Sequence, residues 1–581
     1  MLGAEKALHH NGVAIEPRGC QRLDVCTMLF NSYSFLFLFL PATCLGYLLV
    51  GRLNSRQASL AWLVLCSIAF YGVWNPMNLV VMLPSIGINY LAAVTIKRLL
   101  KRGDPGRRTA SSLLLIGVAF NLLFLGYFKY KNFFLETTNE LLGTDLPLAA
   151  VILPLGISFI TFKQIAFLSD VRKGKIDFNV LDYLTFVFFF PQLIAGPIVH
   201  YGEVIPQFEQ IKYRLDTRDI VVGICLLSIG LFKKTVLADG MAANVSPIFS
   251  ATDQEETISF LAAWMGALAY TFQIYFDFSG YSDMALGLAR LFGIRLPLNF
   301  DSPFKSSSII EFWSRWHVTL TRFLTTYIYM PVMRHVSRWR RRFGLPILTN
   351  KSLTVGAFIS LAMAPAVLTM FLSGVWHGAG FTFVLWGLLH GLYICINQAW
   401  RFWRPKWNRV SYESVMGPVG FLLTFGAVVI AIVFFRARSV AAAGRVLHAM
   451  FGLDGISLPI TIMNRLGFIG HFLGSLGVTG NLSSGASFVI SSLSLIALFV
   501  IATLGPNSLE ILRDFDPAFH YPPTSTKSAI APSDIIMKRG WRRALSFKLQ
   551  LSPVWAFAVA VLFVLGSFGL NQVSQFLYWK F

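Results

Sequence analysis

Charged residues are scarce in this sequence of 581 residues: Asp, Glu, Lys and Arg together make up 13% of it, about half of the roughly 25% that is usual in soluble domains. Hydrophobic residues make up 55% and include 53 Phe. A soluble protein cannot bury so much apolar surface, because surface area grows too fast relative to volume. This composition also excludes disordered and collagen-like chains. The class that remains is a polytopic membrane protein, whose apolar side chains face hydrocarbon.

Cysteine is also scarce, and the six cysteines show no CxxC spacing. Several lie within apolar runs, which is typical of small core residues and indicates neither a disulfide framework nor a zinc site. The sequence lacks HExxH, GxSxG and Walker A motifs and a GxGxxG that opens a helix. The spacing of histidines and carboxylates gives no metal site. We therefore expect neither a metal nor a cofactor.

Acidic residues are outnumbered by basic ones, 28 against 49, which gives a formal net charge of +21. The basic residues fall in clusters between apolar runs: Lys97, Arg98, Lys101, Arg102, Arg107 and Arg108; Arg334, Arg338, Arg340, Arg341 and Arg342; Arg401, Arg404, Lys406 and Arg409; and Lys538, Arg539, Arg542, Arg543 and Lys548. Alternating the apolar runs across a membrane from an outside N-terminus puts all these clusters on one face, as the positive-inside rule requires of cytoplasmic loops. The pattern favours anionic lipid headgroups as partners and argues against nucleic acid.

The apolar runs predict an all-α fold with about twelve membrane-spanning helices. They lie at 33–50, 58–74, 77–96, 110–128, 147–168, 219–237, 258–276, 352–374, 381–398, 416–435, 486–504 and 553–570. The run 183–199 is broken by two prolines and is expected to be re-entrant. The mixed segment 277–332 is expected to form amphipathic helices, at the membrane interface or buried within the bundle. Segments 451–485 and 505–548 are expected to be water-exposed loops.

The composition also divides the chain. Residues 1–27 are polar and unlike the rest, which predicts an upstream extension of the reading frame or a disordered tail. Residues 28–581 are expected to form a single membrane domain with a catalytic core at about 150–400. The spans show no internal repeat, and this weakens the hypothesis of a transporter built from inverted repeats.

One histidine lies in a glycine-rich break between two predicted spans, in the stretch SGVWHGAG at 373–380. Glycines let a backbone approach a ligand closely and leave N–H groups free to point at an anion. We expect His377 to lie in a recess below the outer surface, where a neutral imidazole suits a general base. The alternative is a packing histidine, and that is the favoured interpretation of His390 in the next helix.

The segment EFWSRWHVTL at 311–320 mixes aromatic, charged and histidine residues. On a helix, Trp313, Trp316 and Leu320 line one face. Two interpretations stay open. The segment is either an ordinary interfacial helix with an aromatic belt or a wall of a reaction chamber.

Two carboxylates six residues apart, Asp277 and Asp283, lie at the end of an apolar span. In hydrocarbon such groups must be paired or wetted. They either orient an imidazole, bind substrate hydroxyls, or pair with Arg295 and Arg315. The last option, a structural role, is favoured.

Eight stretches in this order resemble the membrane-bound O-acyltransferase family. They are LPLGISFITF (153–162), FFPQLIAGPIV (189–199), GLFKKTVLAD (230–239), FDFSGYSDMALGLARLFGIRLPLNFDSPF (276–304), EFWSRWHVTL (311–320), YIYMP (327–331), LSGVWHGAGFTFVLWGLLHGLY (372–393) and SQFLYWKF (574–581). Within the family the resemblance is greatest to bacterial alginate O-acetyltransferases, followed by lipoteichoic-acid D-alanyl transferases. It covers nearly all of the chain from Met28.

The resemblance implies a ring of membrane helices around a thin central wall that is pierced by a tunnel. It implies that His377 and His317 are the catalytic histidines, with His317 or Arg315 near the acyl donor. Backbone N–H groups of Gly378 or Gly380 are expected to stabilise the oxyanion of acyl transfer. The full set of candidate substrate-binding or tunnel-lining residues is Trp376, Gly378, Gly380, Arg315, Trp316, Asp277 and Gln273.

The sequence departs from the usual family pattern at Thr325 and Thr326, which stand where Arg-Asp is common before Tyr327. Ser314 before Arg315 is a second departure. The first of these removes the charges of typical members at this position, so it bears on donor or acceptor recognition.

The resemblance implies transfer of an acetyl group from cytoplasmic acetyl-CoA across the bacterial inner membrane, for O-acetylation of an exported polysaccharide such as alginate. The expected partners are acetyl-CoA or an acyl carrier protein, periplasmic acetyl-relay proteins, the polysaccharide and membrane lipid. Two alternatives stay open. One is transfer of D-alanine from a carrier protein to teichoic acid, and the other is a polysaccharide transporter or flippase.

Overall fold

The computed structural model describes residues 28–148, 151, 153–210, 216–347, 354–403, 409–519, 549, 552–571 and 576–577. The predicted extension at 1–27, the basic cluster at 538–548 and most of the closing stretch 574–581 therefore lie outside the described residues. Part of the basic cluster at 401–409 lies outside them as well.

The described chain is built of α-helices and carries one small pair of strands. The helices are α1 (Leu40–Gly51), α2 (Arg56–Trp74), α3 (Pro76–Leu100), α4 (Gly103–Leu142), α5 (Ile157–Arg172), α6 (Val180–Phe188), α7 (Tyr201–Gln210), α8 (Thr217–Phe232), α9 (Ala242–Asp253), α10 (Phe260–Leu291), α11 (Ile309–Arg315), α12 (Val318–Leu324), α13 (Met330–Arg342), α14 (Val355–Phe358), α15 (Ala364–His377), α16 (Phe381–Trp403), α17 (Arg409–Arg436), α18 (Val440–Met450), α19 (Ile460–Arg465), α20 (Phe468–Ser475), α21 (Gly485–Thr503), α22 (Ser508–Ile511) and α23 (Pro553–Phe568). Strand β1 (Ser457–Pro459) pairs in parallel with β2 (Thr479–Asn481). The prediction of an all-α fold is confirmed.

Short turns of other helix types join several of these elements. Turns of π-helix occupy Phe35–Phe39, Lys233–Ala238, Thr325–Tyr329 and Ile359–Met363, and 3-10 turns occupy Phe190–Gln192, Asp239–Met241, Pro303–Lys305, Arg513–Phe515 and Gly569–Asn571. Because a π-turn runs on from its neighbouring helix, α14 and α15 form one helix from Val355 to His377, and α8 and α9 form one from Thr217 to Asp253.

Each of the twelve predicted spans overlaps a helix, but in the run 147–168 the helix begins only at Ile157. Within the described residues, eight helices are long and apolar enough to cross a membrane: Arg56–Trp74, Pro76–Leu100, Gly103–Leu142, Thr217–Asp253, Val355–His377, Phe381–Trp403, Ser414–Arg436 and Gly485–Thr503. Two further predicted spans are the shorter apolar helices Phe35–Gly51 and Pro553–Phe568. The chain is therefore a multi-pass membrane protein, as its composition predicts.

The remaining two predicted spans, α5 and α10, form the interior of the bundle. Almost every side chain of α5 is buried, and so is every residue of α10 from Ala269 to Leu291. Helix α10 thus continues well beyond the predicted end at 276. As far as Leu324 the mixed segment 277–332 is mostly buried within the bundle, which is one of its two predicted placements, whereas its residues from Thr325 onward are exposed or half-buried.

Two predicted loops have more structure than expected. Segment 451–485 is largely exposed, as predicted, but it contains both strands and the helices α19 and α20. The prediction that segment 505–519 is an exposed loop is wrong for its central part, where Ser508 and Leu509 are buried in α22. A capping box between Asn507 and Glu510 starts that helix, and the Ser508 hydroxyl donates to Asp283 at 2.8 Å.

Helices α8 and α10 pack backbone against backbone through glycines. A Cβ added to Gly230 would lie 2.5 Å from the carbonyl oxygen of Gly280, and one added to Gly280 would lie 2.7 Å from the carbonyl oxygen of Gly230. Gly223 of α8 and Gly287 of α10 oppose each other in the same way, about two helical turns away. Small residues allow such close approach in membrane bundles, so this contact fixes α10 against the outer helices.

Replacing Gly280 with valine should therefore destabilise the protein. The new side chain must push the α8 backbone aside, and overpacking of this kind costs about 1–3 kcal/mol or more. We expect a lower thermal midpoint and a smaller monodisperse fraction after detergent extraction. Gly126→Val is the matched control, because a Cβ at Gly126 on α4 meets nothing within 4 Å. An equal loss in both variants would contradict this explanation.

Candidate active site

The predicted break exists but is shorter than the stretch 373–380, because only residues 378–380 separate two packed helices. Helix α15 ends at His377 and α16 begins at Phe381. A Cβ on Gly374 would lie 3.1 Å from the Gly387 Cα, so these two glycines let α15 and α16 approach closely. A Cβ on Gly378 would overlap the Phe383 ring, whereas one on Gly380 would make only ordinary contacts, at 3.7 Å or more. The glycines of this motif thus serve helix packing as well as the break itself.

His377 is buried, with 3% of its surface exposed. Its ring centroid lies 4.8 Å from that of Trp376, 5.0 Å from Trp386 and 5.3 Å from Phe435. His377 also lines a cavity of about 130 Å³ whose other walls are Lys129, Leu153, Pro154, Leu155, Gly156, Ile157, Ser158, Phe159, Ile194, Ala195, Trp376 and Phe576. The imidazole is therefore a buried group with a cavity beside it.

Two residues of α4 hold the backbone that carries His377. The Lys129 ammonium donates to the carbonyl oxygen of Trp376 and, at 3.1 Å, to that of His377. The Tyr130 hydroxyl donates to the carbonyl oxygen of Val375 at 2.6 Å. The sequence reasoning missed both residues. The signal that could have found them is a lysine next to the apolar run 110–128, because a charge at such a position is costly and often functional.

His317 is fully buried and lies in a strained backbone conformation, with φ 43° and ψ 52°. Its Nδ1 lies 3.0 Å from the side-chain oxygen of Asn299. Because that oxygen only accepts, Nδ1 carries the proton and Nε2 is the basic nitrogen. His317 lies outside the membrane-spanning helices, and burial lowers its pKa to about 3, so the ring is neutral at physiological pH.

The left-handed backbone of His317 also corrects a prediction. Segment 311–320 is not one helix, because α11 ends at Arg315 and α12 begins at Val318. The three residues assigned to one face are all buried, with Trp313 6%, Trp316 7% and Leu320 0% exposed. Strained residues of this kind cluster at functional sites, and histidine adopts such a φ more readily than most side chains.

An aromatic wall borders the cavity, and two of its four rings, Phe159 and Trp376, line it. We define it as Phe159, Phe162, Phe323 and Trp376. The Trp376 ring stacks on Phe162 at 5.2 Å, and Phe162 stacks on Phe323 at 4.2 Å. The His317 ring lies 6.3 Å from Trp376, so Trp376 contacts both candidate catalytic histidines.

A smaller void of about 20 Å³ is lined in part by Trp386 and Phe435, two of the rings that pack against His377. It is lined by Thr271, Ile274, Phe304, Phe312, Trp313, Trp316, Trp386, His390, Val428, Ile432 and Phe435. His390 accepts a hydrogen bond from the Trp313 indole at 3.4 Å and packs 4.9 Å from Trp386. These contacts support the packing interpretation of His390.

The two carboxylates are paired, as the favoured option requires, but the predicted partners Arg295 and Arg315 are wrong. The observed ion pairs are Lys234–Asp277, Lys233–Asp283 at 2.6 Å, Arg315–Glu311 at 3.0 Å and Arg315–Asp301 at 3.4 Å. The lysines come from the turn after α8, and the close glycine packing of α8 on α10 brings them alongside the two carboxylates. The distance in sequence between these lysines and the two carboxylates does not reveal how α8 and α10 are aligned.

The remaining candidates lie apart from the cavity. Gln273 and Asp277 are buried in α10 but line neither the cavity nor the void. Thr325 and Thr326 are exposed. Phe159 and Phe576 line the cavity and were not predicted. Among the described residues, no group of three or more His, Cys, Asp or Glu is placed to hold a metal ion.

Residues 169–345 match the model of the membrane-bound O-acyltransferase family, MBOAT. A peptidoglycan O-acetyltransferase of Helicobacter pylori is 38% identical over 464 residues, which cover 75% of this chain and 82% of the relative. The chain belongs to the membrane-bound O-acyltransferase family. Membership confirms the resemblance drawn from the eight motifs and the prediction of an O-acyltransferase.

Other relatives of this MBOAT chain carry acyltransferase names too. A probable alginate O-acetylase of Pseudomonas aeruginosa is 35% identical over 457 residues, covering 77% of this chain and 79% of the relative. A teichoic acid D-alanyltransferase of Bacillus subtilis is 27% identical over 276 residues, covering 47% of this chain and 65% of the relative. The names of these relatives give no support to the alternative of a transporter.

Proposed function

We propose that this MBOAT protein moves an acetyl group from cytoplasmic acetyl-CoA across the bacterial inner membrane for the O-acetylation of an exported polysaccharide, with His377 as the general base. The observation that carries the proposal is the position of His377: a buried imidazole on the wall of a cavity, in a member of an O-acyltransferase family. Relatives at 35–38% identity are named for O-acetyl transfer, whereas those named for D-alanyl transfer are 26–27% identical. These identities favour acetyl over D-alanyl.

In the proposed reaction His377 takes the proton of the acceptor hydroxyl as its oxygen attacks the thioester carbonyl. The new C–O bond forms, the C–S bond breaks, and the proton passes from the imidazolium to the leaving thiolate. Backbone N–H groups at Gly378 or Gly380 stabilise the oxyanion of the tetrahedral intermediate. His317, whose ring packs 6.3 Å from that of Trp376, is proposed to act on the donor side of the reaction centre.

Helix α5 supports the proposed orientation of the site. Its first residues, Ile157 to Phe159, line the cavity, and its last residue, Arg172, donates to the Arg107 carbonyl oxygen at 3.0 Å. Its 16 residues span about 24 Å. The cavity and the basic cluster at 97–108 thus lie at opposite ends of α5. If the basic end is cytoplasmic, as its charge favours, the cavity opens toward the outer side, where a polysaccharide acceptor resides.

The size of the cavity supports a short acyl group. Its volume of about 130 Å³ lies below the roughly 300–1,000 Å³ of pockets that take drug-sized ligands. We therefore expect acetyl-CoA to be used at least about tenfold better than palmitoyl-CoA, since a long chain has no room at His377. Initial rates of CoA release with both donors in the purified protein measure this ratio. Equal rates would contradict the assignment of a short acyl group.

The acceptor and the partners belong to the same proposal. The names of the relatives favour peptidoglycan or alginate as the class of acceptor, and periplasmic relay proteins are proposed to carry the acetyl group onward. Membrane vesicles that contain the protein should transfer label from [14C-acetyl]-CoA to polysaccharide or to a periplasmic protein. The same vesicles without acceptor, and vesicles with His377→Ala, are the controls. A solute that accumulates in vesicles without any acetyl transfer would overturn the proposal in favour of transport.

A further inference from the structure

The last turn of α15 ends at the candidate base, and its carbonyl groups need partners. The last four carbonyl oxygens of any helix find no N–H donor within that helix. Here α15 ends at His377, and α16 begins only at Phe381. Lys129 and Tyr130 supply donors to three consecutive carbonyls, those of Val375, Trp376 and His377. Two adjacent residues of α4 thus hold one turn of another helix.

We propose that Lys129 and Tyr130, the carbonyl clamp, are positioning residues that hold the His377 imidazole against the cavity. This rests on the proposed function, because it requires His377 to be the base. The direction of an imidazole follows from the backbone that carries it, and the backbone after His377 is extended, with Gly378 at φ −161° and ψ 156°. Without the clamp, that turn keeps its ring contacts with Phe162 and Phe435 but loses the donors to its three carbonyl oxygens.

The charge of Lys129 fits this role. A cation is favourable at the C-terminal end of a helix, where the backbone dipoles leave partial negative charge. The Lys129 ammonium also lies 5.8 Å from the centroid of the Trp376 ring, and it lines the same cavity as His377. Placing a lysine on a membrane-spanning helix costs free energy, so such residues are usually functional. Each Lys129 contact named here is with the turn that carries His377.

The clamp is separate from the contacts that fix α4 in the bundle. Elsewhere on α4, the Asn121 amide donates to Asn89 of α3 at 2.7 Å, and Gly117 meets Leu168 of α5. Loss of the clamp therefore leaves α4 anchored. Its effect should appear in the chemical step rather than in the fold.

The test compares four variants in detergent-purified full-length protein with acetyl-CoA as donor. Lys129→Met should lower kcat about 10- to 100-fold, because a small misplacement of a catalytic group costs this much, while KM for the donor stays within about twofold. Tyr130→Phe, which loses one hydrogen bond, should lower kcat about 3- to 10-fold. Lys129→Arg, which keeps a cationic donor, should recover most of the activity. Lys131→Met is the matched control, since Lys131 of the same helix lies over the Tyr127 ring.

The outcomes separate the clamp from the proposed function. Wild-type kcat in Lys129→Met and Tyr130→Phe, with His377→Ala inactive, overturns the clamp and leaves the base assignment standing. An equal loss in Lys131→Met, or no recovery in Lys129→Arg, overturns it as well. Activity retained in His377→Ala overturns the proposed function itself. If Lys129→Met does not fold, Tyr130→Phe decides by the same kcat and KM criterion.

Discussion

Replacing His377 with glutamine is expected to leave a folded protein that transfers almost no acetyl groups. Glutamine roughly fills the space among Trp376, Trp386 and Phe435 but cannot take a proton from a hydroxyl. Because general base catalysis contributes about 10²–10⁴-fold, we expect a loss of at least two orders of magnitude in kcat. Steady-state rates of CoA release, with the monodisperse yield and thermal midpoint of each preparation, provide the measurement.

The control is another histidine. His335 is exposed on α13, so His335→Gln should behave as the wild type in rate and stability. A His377→Gln protein that kept more than about a tenth of the wild-type rate would remove His377 from the mechanism, because no general base is that dispensable. His377→Ala should lose activity to a similar extent and also some stability, since it leaves a void among three aromatic rings.

The second large effect is expected at the Lys234–Asp277 ion pair. Both side chains are almost fully buried, with 3% and 1% exposed, and Asp277 also accepts the Leu577 N–H at 3.0 Å. Asp277→Ala leaves the Lys234 ammonium buried with its main counter-ion removed. Breaking such a pair costs about 3–5 kcal/mol, so we expect a large fall in thermal midpoint and little extractable folded protein.

A double replacement distinguishes this structural role from the candidate substrate-binding role of Asp277. Lys234→Met with Asp277→Leu removes both charges of the buried pair, and burying apolar groups in place of an ion pair is often neutral. Asp239, which also pairs with Lys234 at 2.9 Å, is 20% exposed and can be solvated by water. We expect this variant to recover folded protein and acetyl transfer. Asp104→Ala, which removes an exposed carboxylate from α4, controls for the loss of a negative charge. A double variant that folds fully but transfers nothing would place Asp277 in the chemistry.

Hydropathy was enough to locate the membrane helices because a backbone in hydrocarbon must bond within its own helix. It could not show that α10 continues to Leu291, since the polar groups beyond 276 are satisfied by neighbours that only the fold brings near. The pairing of Asp283 with Lys233 and the helix break at His317 have the same origin. Both depend on contacts between segments that are distant in the chain.

Only the part of the site that carries a local sequence signal could be predicted from the sequence. His377 and Trp376 stand in a glycine-rich break, which is a local signal, and both line the cavity. Phe159 and Phe576 line it as well, but each is an ordinary aromatic residue within its own segment, and only packing brings them to the site. Lys129 is intermediate, because its charge is conspicuous on an apolar helix while its contacts with the end of α15 are not.

The aromatic wall of Phe159, Phe162, Phe323 and Trp376 has a consequence for the energetics of the cell. A water-filled passage through a membrane would conduct protons and dissipate the electrochemical gradient. The wall is apolar, with rings that stack at 4.2 and 5.2 Å, and apolar constrictions disfavour ions by dewetting. If the proposed reaction centre lies between two compartments, this wall opposes the leakage of ions between them.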